Sequence, residues 1–194
     1  MTSESAAVPW SGIPANPSGH THRSWLGWLA AALCFGVAVA LIAFQDSYRI
    51  FETRLAGELV TAVSGQFTFA VPGHPVLYFR TSASPGVMGI NVSLACSSAL
   101  LVAPLFLTSG ALFLSRARSR VRLVLATLLG FLIIAVANNI RLMLIVMLGG
   151  RFGETGLDWA HVLIGSLVML TAGGVAILLY IRITTGRGRE ADGR

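Results

Sequence analysis

Cys96, Arg141 and His161 are the side chains of this sequence best suited to covalent chemistry on a carbonyl group. A thiolate attacks carbonyl carbon well, and a nearby cation or imidazolium lowers the thiol's pKa. An imidazole can carry a proton to a leaving amine. A guanidinium cannot serve as a base, because its pKa lies above ~12; its role is to hold negative charge, on the thiolate or on the oxyanion of a tetrahedral intermediate. Ser97 and Ser98 adjoin the thiol and are rival nucleophiles, weaker than cysteine near neutral pH. Asp158 stands three residues before His161 and either orients it, as an acid orients the histidine of a triad, or caps a helix. Asn138 lies one turn before Arg141 on the same helix face and can share its polar surroundings.

The elements that position these groups are set by composition. Of 194 residues, 55% are hydrophobic and 11% charged, and the mean hydropathy is +0.75. Soluble domains carry about 25% charged residues, so a chain this apolar has the bilayer as its natural solvent. Four apolar runs, 25–44, 94–114, 123–148 and 159–183, each reach the ~20 residues that a crossing requires. The first exceeds the ~7–15 residues of a signal-peptide core and has no small-residue cleavage site, so it is expected to be retained. The predicted fold is an all-α integral membrane protein with four transmembrane helices.

The charges orient those helices. The loop between the second and third runs holds Arg116, Arg118, Arg120 and Arg122, and Arg182, Arg187, Arg189 and Arg194 end the chain. Positive loops stay in the cytoplasm, which gives an N-in, C-in topology. Residues 1–24, rich in Ser, Pro and Gly, read as a disordered cytoplasmic tail, and 184–194 as a basic one. His20 and His22 belong to that solvated tail rather than to a metal site. The net charge of +6 therefore marks membrane orientation and not a nucleic-acid partner. Segment 45–93 lies outside. Its Tyr48, Phe51, Leu55, Leu59 and Val63 recur at helical spacing and predict an amphipathic helix on the outer leaflet. Residues 67–71 and 76–79, about the turn at Pro72-Gly73, predict a β-hairpin whose second strand Pro75 weakens.

On this topology Cys96 opens the second span from outside, His161 opens the fourth, and Arg141 sits seven residues (about 10 Å) below the outer end of the third. An arginine within a span costs ~2.5–3.5 kcal/mol on insertion scales, so it faces protein or water for a purpose. Cys34, midway along the first span, reads as a small hydrophobe. Each site residue has a bland reading alone, but their convergence on one face argues for a site. Other chemistries lack their residues. All fourteen basic residues are Arg, which removes a Ser-Lys dyad; no acid falls within a span, which removes aspartyl proteolysis; no zinc motif is present. Cys34 and Cys96 make neither a metal spacing nor a disulfide framework. No metal and no cofactor are expected.

Three short motifs, Ala95-Cys96-Ser97-Ser98, Asn138-Asn139-Ile140-Arg141 and His161-Val162-Leu163-Ile164-Gly165, fall in the order seen in the exosortase/archaeosortase family, which the chain resembles over roughly residues 89–183. Ser98 stands where that family's pattern has Gly, and the chain has fewer spans than many members, which leaves room for a membrane partner or a homo-oligomer. The resemblance implies a membrane cysteine transpeptidase with Cys96 as nucleophile and Arg141 and His161 as its catalytic partners. Its implied substrates are exported proteins with a C-terminal sorting tail, cleaved at the extracytoplasmic face of the cell membrane and passed to an acceptor. Two rivals need no thiol chemistry: a small transporter or channel subunit with Arg141 as an anion site, and a non-catalytic envelope-assembly protein.

Overall fold

The computed structural model describes residues 22–82, 86–115 and 119–185. The tail 1–21, Arg116 and Arg118 of the basic loop, and 186–194 lie outside the described residues. The first helix, α1, runs His22–Ala43, three residues longer at its start than the apolar run. After a single intervening residue, α2 spans Gln45–Ser64 and ends at Gly65, whose φ of 66° closes the helix in the left-handed region. Three strands follow, β1 Thr68–Ala70, β2 Val76–Thr81 and β3 Gly86–Asn91, in an antiparallel sheet of order β1-β2-β3. A 3-10 turn at Leu94–Cys96 leads into α3, Ala99–Leu114. The rest is helical: α4, Arg120–Asp158, a π-helical turn at Trp159–Ile164, and α5, Gly165–Thr185.

The expected hairpin forms, with Thr68 opposite Phe79 and Ala70 opposite Leu77. Gly73 turns it at φ 78°, and Pro75 falls just before β2, where its missing N–H leaves Val92 O to accept from Arg49 instead. The sheet corrects the all-α expectation, and β3 was not anticipated. Two glycines in six residues give it a weak strand signal. Pairing with β2 supplies what propensity lacks, and the Tyr78 ring lies across Gly89, where a Cβ would come within 2.5 Å of it.

Two helical stretches are long and apolar enough to cross a membrane, Trp25–Ala43 and Arg120–Thr185. The second is a hairpin, because Gly153 breaks α4 with φ 68° and ψ −145°. Beyond it the chain doubles back, so that Gly165 lies against Arg141 while Ala176 packs with Ile134. The 16 residues of α3 span about 24 Å, short of the ~30 Å hydrocarbon layer. The second expected span is shorter than its apolar run because residues 94–98 form a turn instead of helix.

The helices pack through small residues. Phe35 of α1 lies over Gly110 of α3, at the distance where a Cβ would meet its ring at 3.1 Å, and Ala31 and Cys34 join Phe113 and Leu123 in one cluster. Within the bundle, Thr127 donates to Ser109 Oγ at 2.8 Å, and Ser109 shares a 2.9 Å bond with Tyr180, linking α4, α3 and α5. Between helices, such hydroxyl pairs satisfy groups that lipid cannot. The sheet docks on the far end of α4: Leu77 and Phe79 bury against Val60 and Val146, and Ser82 N–H donates to Gly150 O at 2.7 Å.

Candidate active site

Leu94–Cys96 winds as a 3-10 turn because Cys96 N–H donates to Ser93 O and Ser97 N–H to Leu94 O. The thiol sits at the end of that turn, 2% exposed, in a cluster with Ala56, Val92 and Leu142. Both ring nitrogens of His161 lie 3.7 Å from Cys96 Sγ, and an Arg141 terminal nitrogen lies 3.9 Å from it. Ser93 Oγ is 3.5 Å away on the remaining side. The three residues singled out in the sequence, from three separate elements, thus surround one sulfur atom.

Each partner has its own support. His161 lies on the π-helical turn, where Gly165 N–H reaches back to Ala160 O. Single π-helical turns of this kind are found frequently at functional sites. Arg141, 8% exposed, donates through its other terminal nitrogen to Ala95 O at 3.3 Å, which pins the guanidinium beside the thiol. Gly165 makes room for it: a Cβ there would stand 2.8 Å from Arg141 Nε and 2.9 Å from Ala160 O.

The residue that sequence reasoning missed is Glu52. It stands on the amphipathic helix α2 but is 2% exposed, turned inward with Thr53, Ala56, Gly57 and Val60. Its carboxylate accepts from Ser97 Oγ at 2.6 Å, Ser98 Oγ at 2.7 Å, Asn138 Nδ2 at 2.9 Å and Ser98 N–H at 3.2 Å. Four donors converging on two oxygens suit an acceptor-only carboxylate. The available signal was the run of small residues, Thr53, Ala56 and Gly57, which gives α2 a second face able to approach α4 closely.

Glu52 also engages the two serines beside the thiol. Ser97 and Ser98 are buried and spend their hydroxyls on the carboxylate. Asn138 serves Glu52 and makes no bond to Arg141. Two further α2 side chains complete the clamp: Arg49 donates to Val92 O at 3.2 Å, and Tyr48 shares a 2.7 Å bond with Ser98 Oγ. Burial raises the Tyr48 pKa above its ordinary value, and the Glu52 charge adds to that rise against the opposing Ser98 bond. Asp158 is exposed, makes no side-chain cap bond and no hydrogen bond to His161, and stands at the rim of the site.

A cavity of about 240 Å³ opens onto the thiol. Gly89 to Val92 form one wall, Leu142, Ile145 and Leu157 an apolar floor, and Asp158 and His161 the rim. Among the described residues no group of His, Cys, Asp or Glu is arranged to hold a metal ion.

The family model of transmembrane exosortases (Exosortase_EpsH) matches residues 22–179, which contain Cys96, Arg141, His161 and Glu52. The chain belongs to the transmembrane exosortase family. Membership implies a membrane transpeptidase acting on substrates that carry sorting signals. No curated protein and no solved structure matches the chain.

Proposed function

We propose that this exosortase-family chain cleaves C-terminal sorting signals of exported proteins through a thioester at Cys96 and passes the acyl group to an acceptor or to water. The observation that carries the reading is the placing of one thiol within 3.7 Å of an imidazole and 3.9 Å of a guanidinium, at the mouth of a cavity. His161 takes the thiol proton, and Sγ bonds to the scissile carbonyl carbon. The C–N bond then breaks, and the departing amine leaves with the proton that His161 returns. An incoming nucleophile gives up its proton to His161, attacks the thioester and releases the Cys96 sulfur.

Arg141 carries the oxyanion in this scheme. The backbone N–H groups of Cys96, Ser97 and Ser98 are bonded to Ser93 O, Leu94 O and Glu52, so none is free to form an oxyanion hole. The guanidinium is the strong donor that remains, and a single such donor is worth on the order of 10²–10³-fold in rate. The helices cross the membrane four times, with the basic loop and both termini in the cytoplasm and the sheet, α2 and the thiol outside. The positions of the arginines support this arrangement.

The test is processing of a tail-bearing substrate in cells. Cys96→Ala and Arg141→Ala should both abolish the mass change of the substrate while each protein still inserts. Processing that survives Cys96→Ala overturns the cysteine mechanism. Altered ion or solute flux in Arg141→Ala alone favours a transporter instead.

A further inference from the structure

We propose that the free edge of β3 is the substrate-binding rail, on which the segment of substrate to be cleaved lies as a fourth strand with its scissile carbonyl at Cys96. The inference rests on the cysteine transpeptidase reading and adds to it how an extended peptide is held.

Register identifies the free groups. Val92 N–H donates to Pro75 O at 2.8 Å, and Val76 pairs with Asn91. In an antiparallel ladder bonded and non-bonded pairs alternate. Gly86, Met88, Ile90 and Val92 therefore turn their backbone groups to β2, while Val87, Gly89 and Asn91 turn theirs outward. β3 ends the sheet, and no described strand pairs with its outer edge. Edges are commonly guarded by charge, Pro or a bulge. Gly86–Asn91 has no charged residue and no proline.

That unguarded edge is a wall of the catalytic cavity, since Gly89 and Asn91 line it together with Cys96 and His161. A chain paired with Gly89 and Asn91 is carried along the wall to the thiol. The cavity volume points to the same occupant. At about 240 Å³ it falls below the ~300–1,000 Å³ of small-molecule sites and suits one or two side chains of an extended peptide. Leu142, Ile145 and Leu157 would receive an apolar side chain there. Main-chain pairing supplies affinity and the pocket supplies selectivity, as in strand addition generally.

Strand pairing has a period of two, and the experiment reads that period. The probe is a synthetic peptide covering the cleavage motif and flanks of a tail-bearing exported protein from the same genome, with single N-methyl groups placed on successive amides. The full chain in lipid nanodiscs is assayed for cleavage, and its Cys96→Ala form for binding by fluorescence anisotropy. N-methylation at alternate amides should weaken binding and raise KM roughly tenfold, from a lost bond worth ~1–1.5 kcal/mol, with the intervening amides tolerated. Asn91→Pro, which removes an outward N–H and no ladder bond to β2, should raise KM by a similar factor relative to Asn91→Ala, with kcat largely kept. Uniform tolerance, losses without alternation, or no peptide binding would each overturn the rail, as would an unchanged KM in a folded Asn91→Pro protein. Cleavage of the unmodified peptide by wild type but not by Cys96→Ala tests the cysteine reading separately.

Discussion

Replacing Glu52 with alanine would strand three buried donors at once, the Ser97 hydroxyl, the Ser98 N–H and the Asn138 amide, while the Ser98 hydroxyl keeps Tyr48. Each donor left without an acceptor costs ~1–3 kcal/mol, and even the lower bound sums to about 3 kcal/mol. For a chain of this size that corresponds to a fall in Tm on the order of 10 °C. Glu52→Gln is the informative contrast. Its carbonyl can take the place of the oxygen that serves Ser98 and Asn138, while its amide faces Ser97, whose hydroxyl rotates to accept. The losses are the charge assistance and the acceptor of the Ser97 hydroxyl, about 2 kcal/mol together. Thermal unfolding of the purified proteins in detergent measures both. Thiol labelling of Cys96 in a Cys34→Ala background reports the turn itself, because Cys96 is 2% exposed and should react faster once the turn loosens. A Glu52→Ala protein that unfolds within ~1 kcal/mol of wild type and keeps Cys96 unreactive would refute the clamp. Equal damage from both substitutions would refute acceptor geometry as its basis.

Gly165→Ala should push Arg141 off the thiol, since the new Cβ would stand 2.8 Å from its Nε and cannot retreat from Ala160 O. A displacement of about 1 Å can cost ~10²-fold, so substrate processing should fall by that order with insertion intact. Arg141→Lys keeps the charge but loses the two-ended grip on Ala95 O and Cys96 Sγ, and should lose ~10²-fold or more; near-wild-type processing would mean that a point charge suffices. The raised Tyr48 pKa implies that stability from its protonated form is fully present below about pH 10 and is lost as pH climbs through the folded value. The gap between wild type and Tyr48→Phe in stability scans should stay constant below about pH 10 and move against wild type above it. Asp158→Asn should change processing less than threefold in a rate assay, because the acid makes no bond to His161.

Hydropathy and charge are properties of contiguous residues, so the apolar runs, their arginine flanks and the amphipathic α2 could be read directly. The meeting of Cys96, Arg141 and His161 was legible as a juxtaposition, because each is conspicuous where it stands, and the fold sets His161 3.7 Å and Arg141 3.9 Å from the thiol. The hairpin was legible from Pro72-Gly73 and its flanking strands. Tertiary structure alone decided the rest. β3 exists through its pairing with β2 and the Tyr78 ring, not through its own propensity. Glu52 looked like one more polar residue of a surface helix, because nothing within its own turn shows that Ser97, Ser98 and Asn138 wait 45 to 86 positions away. Asp158, whose spacing from His161 suggested a triad, makes no hydrogen bond to that ring, which three-residue spacing alone could not reveal. Local patterns set which residues are apolar enough to meet the membrane, whereas hydrogen-bond partners distant in sequence set which buried polar group holds the Cys96 turn in place.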